Sequence, residues 1–378
     1  MSHRRAFQAI YLSVAISYLG VGLVAPLIAV VLSQHGAGSF VVGLVGTTMF
    51  AAFTISSFPI GRLIDGIGPK PVLIAGLLVY GVSILLFAKI SNVALFFVVR
   101  GVEGVGAAAI SVATETMISR LSGPNERARR MSYYALSVGL GWAAGPLAGG
   151  LMFRSRPELP FVACFVFSAI AALLALVFVP RTNGDSSHSE AAPSLARKLI
   201  APISAGGLYG YLMSSLVTLF PLYLKEMNVE ADEMGSIITA VIGGTLVSQV
   251  PIGWAADRFG KRETLLGCSI LLACVFGLMS THTDWRLFLL TGAMAGALAG
   301  SLYPIGLSMI GSLVPSERLG SATSLFSLAF GIGSLAGPAS SGLAMDHLGD
   351  QWLFYLPSLL VAAFAIGLLA LRKTQAIR

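Results

Sequence analysis

The sequence of 378 residues contains few charged residues, few cysteines and few histidines. Charged side chains make up 11% of the chain, against about 25% in soluble domains, which argues against a water-soluble protein. The three cysteines lie within apolar runs and lack the spacing of metal ligands. The five histidines fall in predicted loops or near the N-terminus. We therefore expect no metal site and no bound cofactor.

Two classes of protein are disfavoured because their motifs are missing from the sequence. No Gly-x-x-x-x-Gly-Lys-Ser/Thr motif occurs, and the predicted loops are too short for a nucleotide-binding domain, which argues against an ATP-driven pump. An enzyme embedded in a membrane would need a nucleophile with its base, or a cluster of ligands, at membrane depth. No buried His or Cys–His set is predicted, so we expect that the protein is not an enzyme.

The sequence is rich in hydrophobic residues, which make up 56% of it and are gathered into long runs. About 20 apolar residues are enough for one helix to cross a bilayer. The runs are continuously apolar instead of alternating, which favours helices over a β-barrel. The twelve predicted spans cover about 6–32, 40–63, 71–90, 93–118, 131–153, 158–180, 199–224, 234–256, 264–281, 285–312, 321–345 and 350–371.

The basic residues predict the orientation of these spans. If the N-terminus is cytoplasmic, five of the 24 Lys and Arg residues face the opposite side, one lies within a span, and the other eighteen face the cytoplasm. The five are Lys89, Arg154, Arg156, Lys225 and Arg286, and the one within a span is Arg100. We therefore expect an integral protein of the plasma (inner) membrane with both termini cytoplasmic. The net charge of +7 then reflects membrane topology and requires no nucleic-acid partner.

A short polar turn occurs twice in the sequence, at 59–70 and again 192 residues later at 251–262. The matching positions are Gly61 with Gly253, Asp65 with Asp257, and Gly68 with Gly260. Glycine permits positive φ and close backbone approach, so such a turn is suited to reversing the chain at a membrane surface. Its recurrence at a fixed offset indicates two copies of one unit.

The one sustained polar segment, residues 181–193, has the composition of a flexible linker. It divides the chain into an N-terminal six-helix bundle (1–180), a cytoplasmic linker (181–198) and a C-terminal six-helix bundle (199–378). Because six is even, both halves enter the membrane from the same side, and the repeat axis runs along the membrane normal. We predict an all-α membrane protein with 12 transmembrane helices in two six-helix bundles related by pseudo-two-fold symmetry.

Two six-helix halves, a cytoplasmic linker and this turn together resemble the major facilitator superfamily over essentially the full chain. The turn is similar to the family's loop motif Gly-x-x-x-Asp-x-x-Gly-x-Lys, which has a basic residue after the Asp and another after the second Gly. The first copy has Gly66 and Pro69 there, so we expect weaker ion pairing in the first half than in the second. The resemblance implies a gating loop formed by Gly61, Asp65, Gly68, Lys70, Gly253, Asp257, Gly260, Lys261 and Arg262.

Two further motifs carry the resemblance. Residues 100–108 in span four resemble the family's Arg-x-x-Gln-Gly-x-Gly-Ala-Ala, with Glu103 in place of Gln. Residues 141–150 in span five resemble the Gly-x-x-x-Gly-Pro-x-x-Gly-Gly signature of drug:proton antiporters, which implies export. A plain kinked packing helix is the alternative, since Gly and Pro are common in membrane spans. The residues of this antiporter helix are Gly141, Gly145, Pro146, Gly149 and Gly150.

Three formal charges lie well inside a predicted span, and all are on span four: Arg100, Glu103 and Glu115. Each is unfavourable there by about 2.5–3.5 kcal/mol on insertion scales, so each is a candidate functional residue. At about 100° per residue the three share one broad face, which we expect to line a central cavity. We expect a carboxylate there to carry the proton, with Arg100 holding the deprotonated acid or an anionic substrate group. A static Arg100–Glu103 pair and a basic partner for Glu115 are the alternatives.

Other polar residues of the spans are candidates for lining a substrate cavity: Tyr11, Tyr18, Tyr211, Ser215 and Gln249. Hydrogen bonds to their own helix or to a neighbouring helix are the alternative. We expect a monomeric, proton-coupled exporter (antiporter) of small amphipathic compounds or drugs that works in the lipid bilayer by alternating access. A proton symporter importing a sugar or other small metabolite, and a non-transporting membrane receptor, are the competing interpretations.

Overall fold

In the computed structural model, the described part of the chain comprises residues 3–122, 127–180, 199–313 and 319–376, and it consists of helices joined by short turns. The predicted linker at 181–198 lies outside the described residues. The helices are α1 (His3–Gln34), α2 (Ser39–Ile67), α3 (Pro69–Phe87), α4 (Val93–Leu121), α5 (Arg127–Ser155), α6 (Leu159–Phe178), α7 (Ile200–Glu226), α8 (Ala231–Phe259), α9 (Lys261–Met279), α10 (Trp285–Ala299), α11 (Leu302–Leu313), α12 (Leu319–Leu348) and α13 (Trp352–Ala376).

Within this part of the chain, twelve helical stretches are long and apolar enough to cross a membrane. The tenth, Trp285–Ile310, combines α10 with most of α11. Large aliphatic side chains are exposed on these stretches, as Val247 (77%) and Val250 (80%) of α8 illustrate. Extensive exposed apolar surface is suited to lipid instead of water. The predicted all-α membrane protein with twelve spans is therefore confirmed.

The tenth span is one predicted run that folds as two helices. α10 ends at Ala299 and α11 begins at Leu302, with Gly300 and Ser301 between them. The Ser301 hydroxyl donates a hydrogen bond to the Leu298 carbonyl at 2.6 Å. Glycine has a low helix propensity, and a serine hydroxyl competes with the helical hydrogen bonds. The prediction of a single helix over 285–312 is corrected accordingly.

The repeated turn connects α2 to α3 and α8 to α9. Gly68 precedes α3 with a φ of 84°, and Gly260 precedes α9 with a φ of 103°. These values lie in the region that glycine adopts without steric cost. Pro69 then occupies the first helical position of α3, where its missing N–H leaves no hydrogen bond unmade. A single glycine, Gly68 or Gly260, therefore separates the two helices at each turn.

The chain forms two compact units. Unit 1 contains the described residues within Met1–Ala37, Thr48–Ser187 and Glu230–Thr239, and unit 2 contains the rest of the described residues. In unit 1, α1 packs against α5 and α6, and α3 packs against α4 and α6. In unit 2, α7 packs against α12, and α9 packs against α13. The boundaries of the units cut through α2 and α8, so the division at the linker stays a prediction.

The repeat extends from the sequence to the contacts inside each unit. Lys70 Nζ donates a hydrogen bond to the Leu176 carbonyl at 2.7 Å in unit 1. Arg262 and Leu368, each 192 positions later, form the same contact in unit 2, where the guanidinium donates to the carbonyl. The α1–α5 pair of unit 1 likewise corresponds to the α7–α12 pair of unit 2. Equal contacts at equal offsets support the interpretation of two copies of one unit.

Candidate functional site

A cluster of polar side chains lies among α1, α4 and α5 of unit 1. Ser111 and Glu115 are one turn apart on α4, and the Ser111 hydroxyl donates to Glu115 Oε1 at 3.0 Å. The Tyr134 hydroxyl of α5 is within hydrogen-bonding range of the same carboxylate. The Tyr18 hydroxyl of α1 is in turn within hydrogen-bonding range of Tyr134. We call these four residues the hydroxyl–carboxylate cluster.

Among the described side chains, the hydrogen-bond partners of the Glu115 carboxylate are hydroxyl groups. Its side chain is exposed, and no residue whose side chain the structure describes forms an ion pair with it. A hydroxyl can donate to a carboxylate and can accept from a carboxylic acid, so the cluster can hydrogen-bond both protonation states of Glu115. That property is what a residue needs if it is to take up and release a proton. Neither Ser111 nor Tyr134 was among the residues predicted for the site.

Arg100 and Glu103 form a buried ion pair nearer the start of α4. Arg100 Nη1 lies 2.8 Å from Oε1 and 2.7 Å from Oε2 of Glu103. The two residues are only 6% and 2% exposed. Tyr80 of α3 supplies a further hydrogen bond to the carboxylate. Burial of either charge alone would be costly, and the close geometry lets the two charges compensate each other.

The two acids of α4 therefore face different neighbours. Glu103 lies against Tyr80 of α3, whereas Glu115 lies beside Tyr134 of α5. The structure buries Arg100 and Glu103, whereas the Glu115 side chain is exposed. That all three residues line one cavity stays a prediction. The two acids are separated by about 120° around the helix axis, which is wide enough to reach different neighbouring helices. The alternative of a static Arg100–Glu103 pair describes this geometry.

The second half of the chain has no counterpart of the hydroxyl–carboxylate cluster among its described residues. The positions 192 residues after Tyr18, Ser111, Glu115 and Tyr134 are Gly210, Tyr303, Leu307 and Phe326. Phe326 is fully buried, and the centroid of its ring lies 5.0 Å from that of Tyr303. Leu307 packs against the same apolar cluster. One copy of the repeat thus keeps a carboxylate with hydroxyls where the other has an apolar core.

The predicted gating loop differs between the two halves. Asp65 forms an ion pair with Arg120 of α4, with Nη2 and Oδ1 3.1 Å apart. Asp257 is exposed and has no ion pair with any residue in the described ranges. Ser312 occupies the position 192 residues after Arg120. The expectation of weaker ion pairing in the first half is therefore wrong, because the partner of Asp65 comes from α4 and not from the loop itself.

Among the other gating-loop residues, Lys261 connects two helices by hydrogen bonds, whereas Gly61 and Gly253 have free space around them. Lys261 Nζ donates to the Ser308 carbonyl at 2.9 Å and to Ser312 Oγ at 3.3 Å, which ties the start of α9 to α11. Gly61 and Gly253 have no heavy atom within 4 Å of the position that a Cβ would occupy. Neither glycine is therefore required by packing in this conformation.

The predicted antiporter helix packs closely against α1. A Cβ added to Gly145 would lie 2.4 Å from the Cα of Gly22, and one added to Gly149 would lie 2.1 Å from the Leu23 carbonyl oxygen. A Cβ on Gly141 would lie 2.6 Å from another carbonyl oxygen of α1. Atoms do not approach so closely, so these three positions accept glycine alone in this packing.

The opposite side of the same segment meets the start of α8 within unit 1. A Cβ added to Gly150 would lie 2.2 Å from the Ala231 carbonyl oxygen, and one added to Gly235 would lie 2.3 Å from the Pro146 carbonyl oxygen. The segment at 141–150 is thus an interhelical contact surface on two sides of α5. Both the antiporter interpretation and the packing interpretation predict such a surface.

A charged residue at the end of α5 holds the start of α8. Arg154 Nη1 lies 2.9 Å from Asp232 Oδ2 and 3.0 Å from Glu230 Oε2, all within unit 1. An arginine near a helix N-terminus faces the positive end of the helix dipole. The two carboxylates offset that unfavourable position. Sequence reasoning did not single out these residues.

At the end of α12, an acidic residue contacts the start of α2, whereas a basic residue occupies the corresponding position of α5. In unit 2, the Asp346 carboxylate accepts hydrogen bonds from the backbone N–H groups of Ser39 at 2.9 Å and Phe40 at 3.0 Å. Asp346 lies 192 positions after Arg154. A carboxylate satisfies the free N–H groups of a helix start directly, so it needs no further counter-charge. The repeat offset was the signal that could have identified both residues.

The predicted cavity-lining residues of unit 1 lie in different surroundings. The Tyr11 hydroxyl donates to the Arg130 carbonyl at 3.1 Å, which ties α1 to the start of α5. Tyr18 belongs to the hydroxyl–carboxylate cluster. The structure thus brings Tyr18, and not Tyr11, to the Glu115 carboxylate. Gln249 of α8, which belongs to unit 2, is exposed.

The predicted cavity-lining residues of α7 bond to α12 within unit 2. The Tyr211 hydroxyl lies 3.0 Å from the hydroxyl oxygens of both Ser340 and Ser341. Ser215 Oγ lies 3.1 Å from Ser341 Oγ and is fully buried. These hydroxyl groups connect two helices that pack tightly, which is the alternative role for polar residues in spans.

Comparison with known proteins identifies the family. The sequence model described as "Major Facilitator Superfamily" matches residues 10–227 and 202–377. An uncharacterized MFS-type transporter of Bacillus subtilis, YfkF, is 26% identical and aligns with 96% of this chain and 94% of its own. Quinolone resistance protein NorA of Staphylococcus aureus is 24% identical, with 89% of each chain covered. The crystal structure of nucleoside transporter NupG superimposes with a TM-score of 0.82 at 12% identity, covering 97% of this chain and 99% of its own.

Proposed function

Because the chain belongs to the major facilitator superfamily of membrane transporters, we propose that it is a proton-coupled exporter of small amphipathic compounds. Its likeness to a quinolone resistance protein favours the export of drug-like compounds. The glycine contacts of the segment at 141–150 agree with a helix of the antiporter type. The likeness to solved structures supports the fold alone and does not distinguish among substrates.

One observation carries the proton-coupled part of the proposal. Glu115 is an exposed carboxylate inside a membrane span, with hydroxyl groups as its hydrogen-bond partners among the described residues. An ionisable residue at membrane depth without a fixed counter-charge is a default candidate for a proton relay. The corresponding position of the second half is Leu307, so only one copy of the repeat carries this acid.

The proposed cycle uses a single titration of Glu115. The carboxylate takes up a proton on one side of the membrane and becomes a carboxylic acid, which loses that proton on the other side. Protonation removes one charge from unit 1 and so changes which conformation is favoured. One proton moving down a membrane potential of 100 mV supplies about 2.3 kcal/mol, which can drive a compound outwards. Ser111 and Tyr134 keep the carboxyl group hydrogen-bonded in both states.

We assign a structural role to the Arg100–Glu103 pair. Both charges are buried and bonded to each other, and Tyr80 contributes a further hydrogen bond. Such a pair fixes the position of α4 against α3. It can therefore keep Glu115, twelve residues farther along the same helix, in place.

The proposal also includes the orientation and the oligomeric state. In the topology predicted from the sequence, eighteen of the 24 basic residues fall on the side that contains both termini, which supports cytoplasmic termini in the inner membrane. The substrate and the proton would then cross the same monomer in opposite directions.

Transport into inverted membrane vesicles tests the direction and the coupling. Vesicles that contain the protein are given an inward-acid pH gradient, and uptake of the fluorescent quinolone norfloxacin is followed. The proposal predicts uptake that stops when nigericin collapses the gradient. Uptake that is unaffected by nigericin would contradict proton coupling, and gradient-driven loss of norfloxacin from preloaded inverted vesicles would indicate import.

A further inference from the structure

The helices of unit 1 are not packed equally closely. α4 packs against α2 and α3: a Cβ on Gly104 would lie 2.4 Å from the Met49 carbonyl oxygen, and one on Gly106 would lie 2.9 Å from the Tyr80 backbone nitrogen. α1 packs just as closely against α5. Within the described ranges, few contacts join α4 to α5 or to α1. We call this boundary the α4–α5 seam, and helices separated by few contacts move apart more easily than closely packed ones.

The hydroxyl–carboxylate cluster crosses this seam. Glu115 and Ser111 belong to α4, whereas Tyr134 belongs to α5 and Tyr18 to α1. Among the described side chains, the Glu115 carboxylate has one hydrogen-bond partner on its own helix, Ser111, and one across the seam, Tyr134. The bond from Ser111 stays within α4, so it does not depend on the position of α5. Tyr134 is therefore the partner that connects the acid to α5.

The other charged groups of α4 are bonded elsewhere. The titratable groups that face Glu115 across the seam, among the described side chains, are Tyr134 of α5 and Tyr18 of α1. From α3, the Tyr80 hydroxyl reaches Glu103 and not Glu115. The remaining charges of α4 form two ion pairs: Arg100 with Glu103, and Arg120 with Asp65 of α2. Within this described part, a change of charge at Glu115 therefore acts first on the hydroxyl groups of the cluster.

Protonation of Glu115 changes the strength of the hydrogen bond across the seam. A bond that an ionised carboxylate accepts is about twice as strong as one that a neutral acid accepts. We propose that Tyr134 is the positioning residue of the proton cycle: ionised Glu115 holds α5 against α4 through Tyr134, and protonated Glu115 loosens this hold. The added proton sits on a carboxylate oxygen and can be donated to Ser111 on the same helix. This inference rests on the proposed function and adds the group through which the proton acts on the helices.

The packing of α5 allows this change to act at a distance within unit 1. The glycine contacts of residues 141–149 leave no room between α5 and α1, so the two helices move together. Farther along α5, a Cβ on Gly150 would lie 2.2 Å from the Ala231 carbonyl oxygen at the start of α8. Sixteen residue steps separate Tyr134 from Gly150, which corresponds to about 24 Å of helix. A displacement of α5 at Tyr134 therefore also reaches the start of α8.

The pH dependence of norfloxacin exchange tests the role of Tyr134. The full chain is reconstituted into liposomes with the same pH on both sides, and exchange of labelled norfloxacin is measured between about pH 5.5 and 8. Each rate is divided by that of Glu115→Gln at the same pH, which removes the titration of norfloxacin itself. The wild-type ratio is expected to change about tenfold, the difference between a charged and a neutral hydrogen bond. For Tyr134→Phe we expect a change of less than about twofold.

Three further variants make the test specific to the bond across the seam. Tyr133→Phe removes the hydroxyl of the neighbouring, exposed tyrosine and keeps the wild-type profile. Ser111→Ala removes the partner on α4, and its ratio still changes at least about fivefold, because Tyr134 still spans the seam. Glu115→Asp keeps a titratable acid but shortens the side chain by one methylene group, so its carboxylate no longer reaches Tyr134 and its ratio stays within about twofold.

The outcomes separate failure of this inference from failure of the proposed function. A wild-type ratio that is constant with pH would show that Glu115 does not carry the pH dependence, and the proton cycle would fail together with the inference. A wild-type ratio that varies, with Tyr134→Phe varying equally, would overturn the role of Tyr134 and leave the proton cycle intact. If Tyr134→Phe exchanges no norfloxacin, Glu115→Asp decides: a flat ratio supports the inference, and the wild-type profile overturns it.

Discussion

The side chains of Arg100 and Glu103 meet at 2.7 Å inside unit 1, where their exposed fractions are only 7% and 2%. Both charges come from one helix, three residues apart, so the pair needs no other helix to bring it together. The removal of water from two ions is costly, and their mutual attraction offsets that cost. The pair therefore keeps this part of α4 buried, whether Glu115 is protonated or not.

Replacement of one partner of this pair should destabilise the protein strongly. Glu103→Gln leaves the Arg100 charge buried without its counter-ion, and we expect a loss of about 3–5 kcal/mol in the free energy of unfolding. The double variant Arg100→Met with Glu103→Met should recover most of that loss, because no charge is left unpaired. Thermal unfolding in detergent micelles measures both. A Glu103→Gln protein as stable as the wild type would show that the pair does not hold α4.

The asymmetry of the gating loop leads to a second prediction. Asp65→Asn removes an ion pair with Arg120 and should slow norfloxacin transport by about fivefold, equivalent to roughly 1 kcal/mol. Asp257→Asn is the matched control, because Asp257 has no ion pair in the described part of the chain, and it should stay within about twofold of the wild type. Exchange of the charges, as Asp65→Arg with Arg120→Asp, should restore part of the rate. Equal effects of the two asparagine variants would refute this asymmetry.

The contact between α5 and α1 leads to a third prediction. In Gly149→Ala the added methyl group would lie 2.1 Å from the Leu23 carbonyl oxygen, so the helices must separate. We expect a loss of about 1–3 kcal/mol in the free energy of unfolding, as for other overpacked sites. Gly277→Ala adds the same methyl group where no atom lies within 4 Å and should not destabilise. Thermal unfolding of the two variants side by side checks the difference, and equal midpoints would count against the tight contact.

The pH dependence of stability can be tested at Asp350, in the turn between α12 and α13. Burial is the main reason that the pKa of Asp350 lies above its ordinary value of 3.8, and the nearby carboxylates of Glu226 and Asp346 raise this pKa further. An acid with a raised pKa binds its proton more tightly when folded. Its stabilising contribution is therefore complete below about pH 3.8 and is lost as the pH rises through the folded value.

Asp350→Asn removes this dependence. At neutral pH the variant should unfold at a higher temperature than the wild type, and the difference should shrink as the pH falls towards 3.8. Glu158→Gln changes another acid in a turn, at the start of α6, and serves as the control. Thermal unfolding between pH 4 and 8 provides the measurement. A variant that is less stable than the wild type at neutral pH would contradict the sign.

The architecture could be predicted from the sequence because lipid imposes a simple constraint. A continuous apolar run of sufficient length has one stable structure in a bilayer, so the twelve spans and the repeat could be predicted from composition and offset alone. The break at Gly300 and Ser301 could not, because glycine and serine occur in many unbroken spans. Whether such a pair interrupts a helix depends on what packs against it. In this protein the Cβ position of Gly300 lies 2.5 Å from a methyl group of Thr245.

The site could be predicted only in part, because helical geometry gives the direction of each side chain around its own helix but not the residues that other helices place beside it. The spacing on α4 gives the angle between Glu103 and Glu115 around the helix axis. It does not predict that Tyr80 hydrogen-bonds to Glu103 and Tyr134 to Glu115. The ion pair of Asp65 was missed for a similar reason, since Arg120 is 55 residues away in the sequence. The 192-residue offset applied to charged positions would have identified Arg154 and Asp346 as equivalent.

The central claim is that Glu115 carries the proton, and one measurement tests it most directly. Purified protein is reconstituted into liposomes containing the pH-sensitive dye pyranine, norfloxacin is added outside, and the internal pH is followed. The account predicts that the wild type moves protons against the flow of norfloxacin. Glu115→Gln should still exchange labelled norfloxacin across the membrane but should move no protons. A Glu115→Gln protein with the proton flux of the wild type would contradict the account.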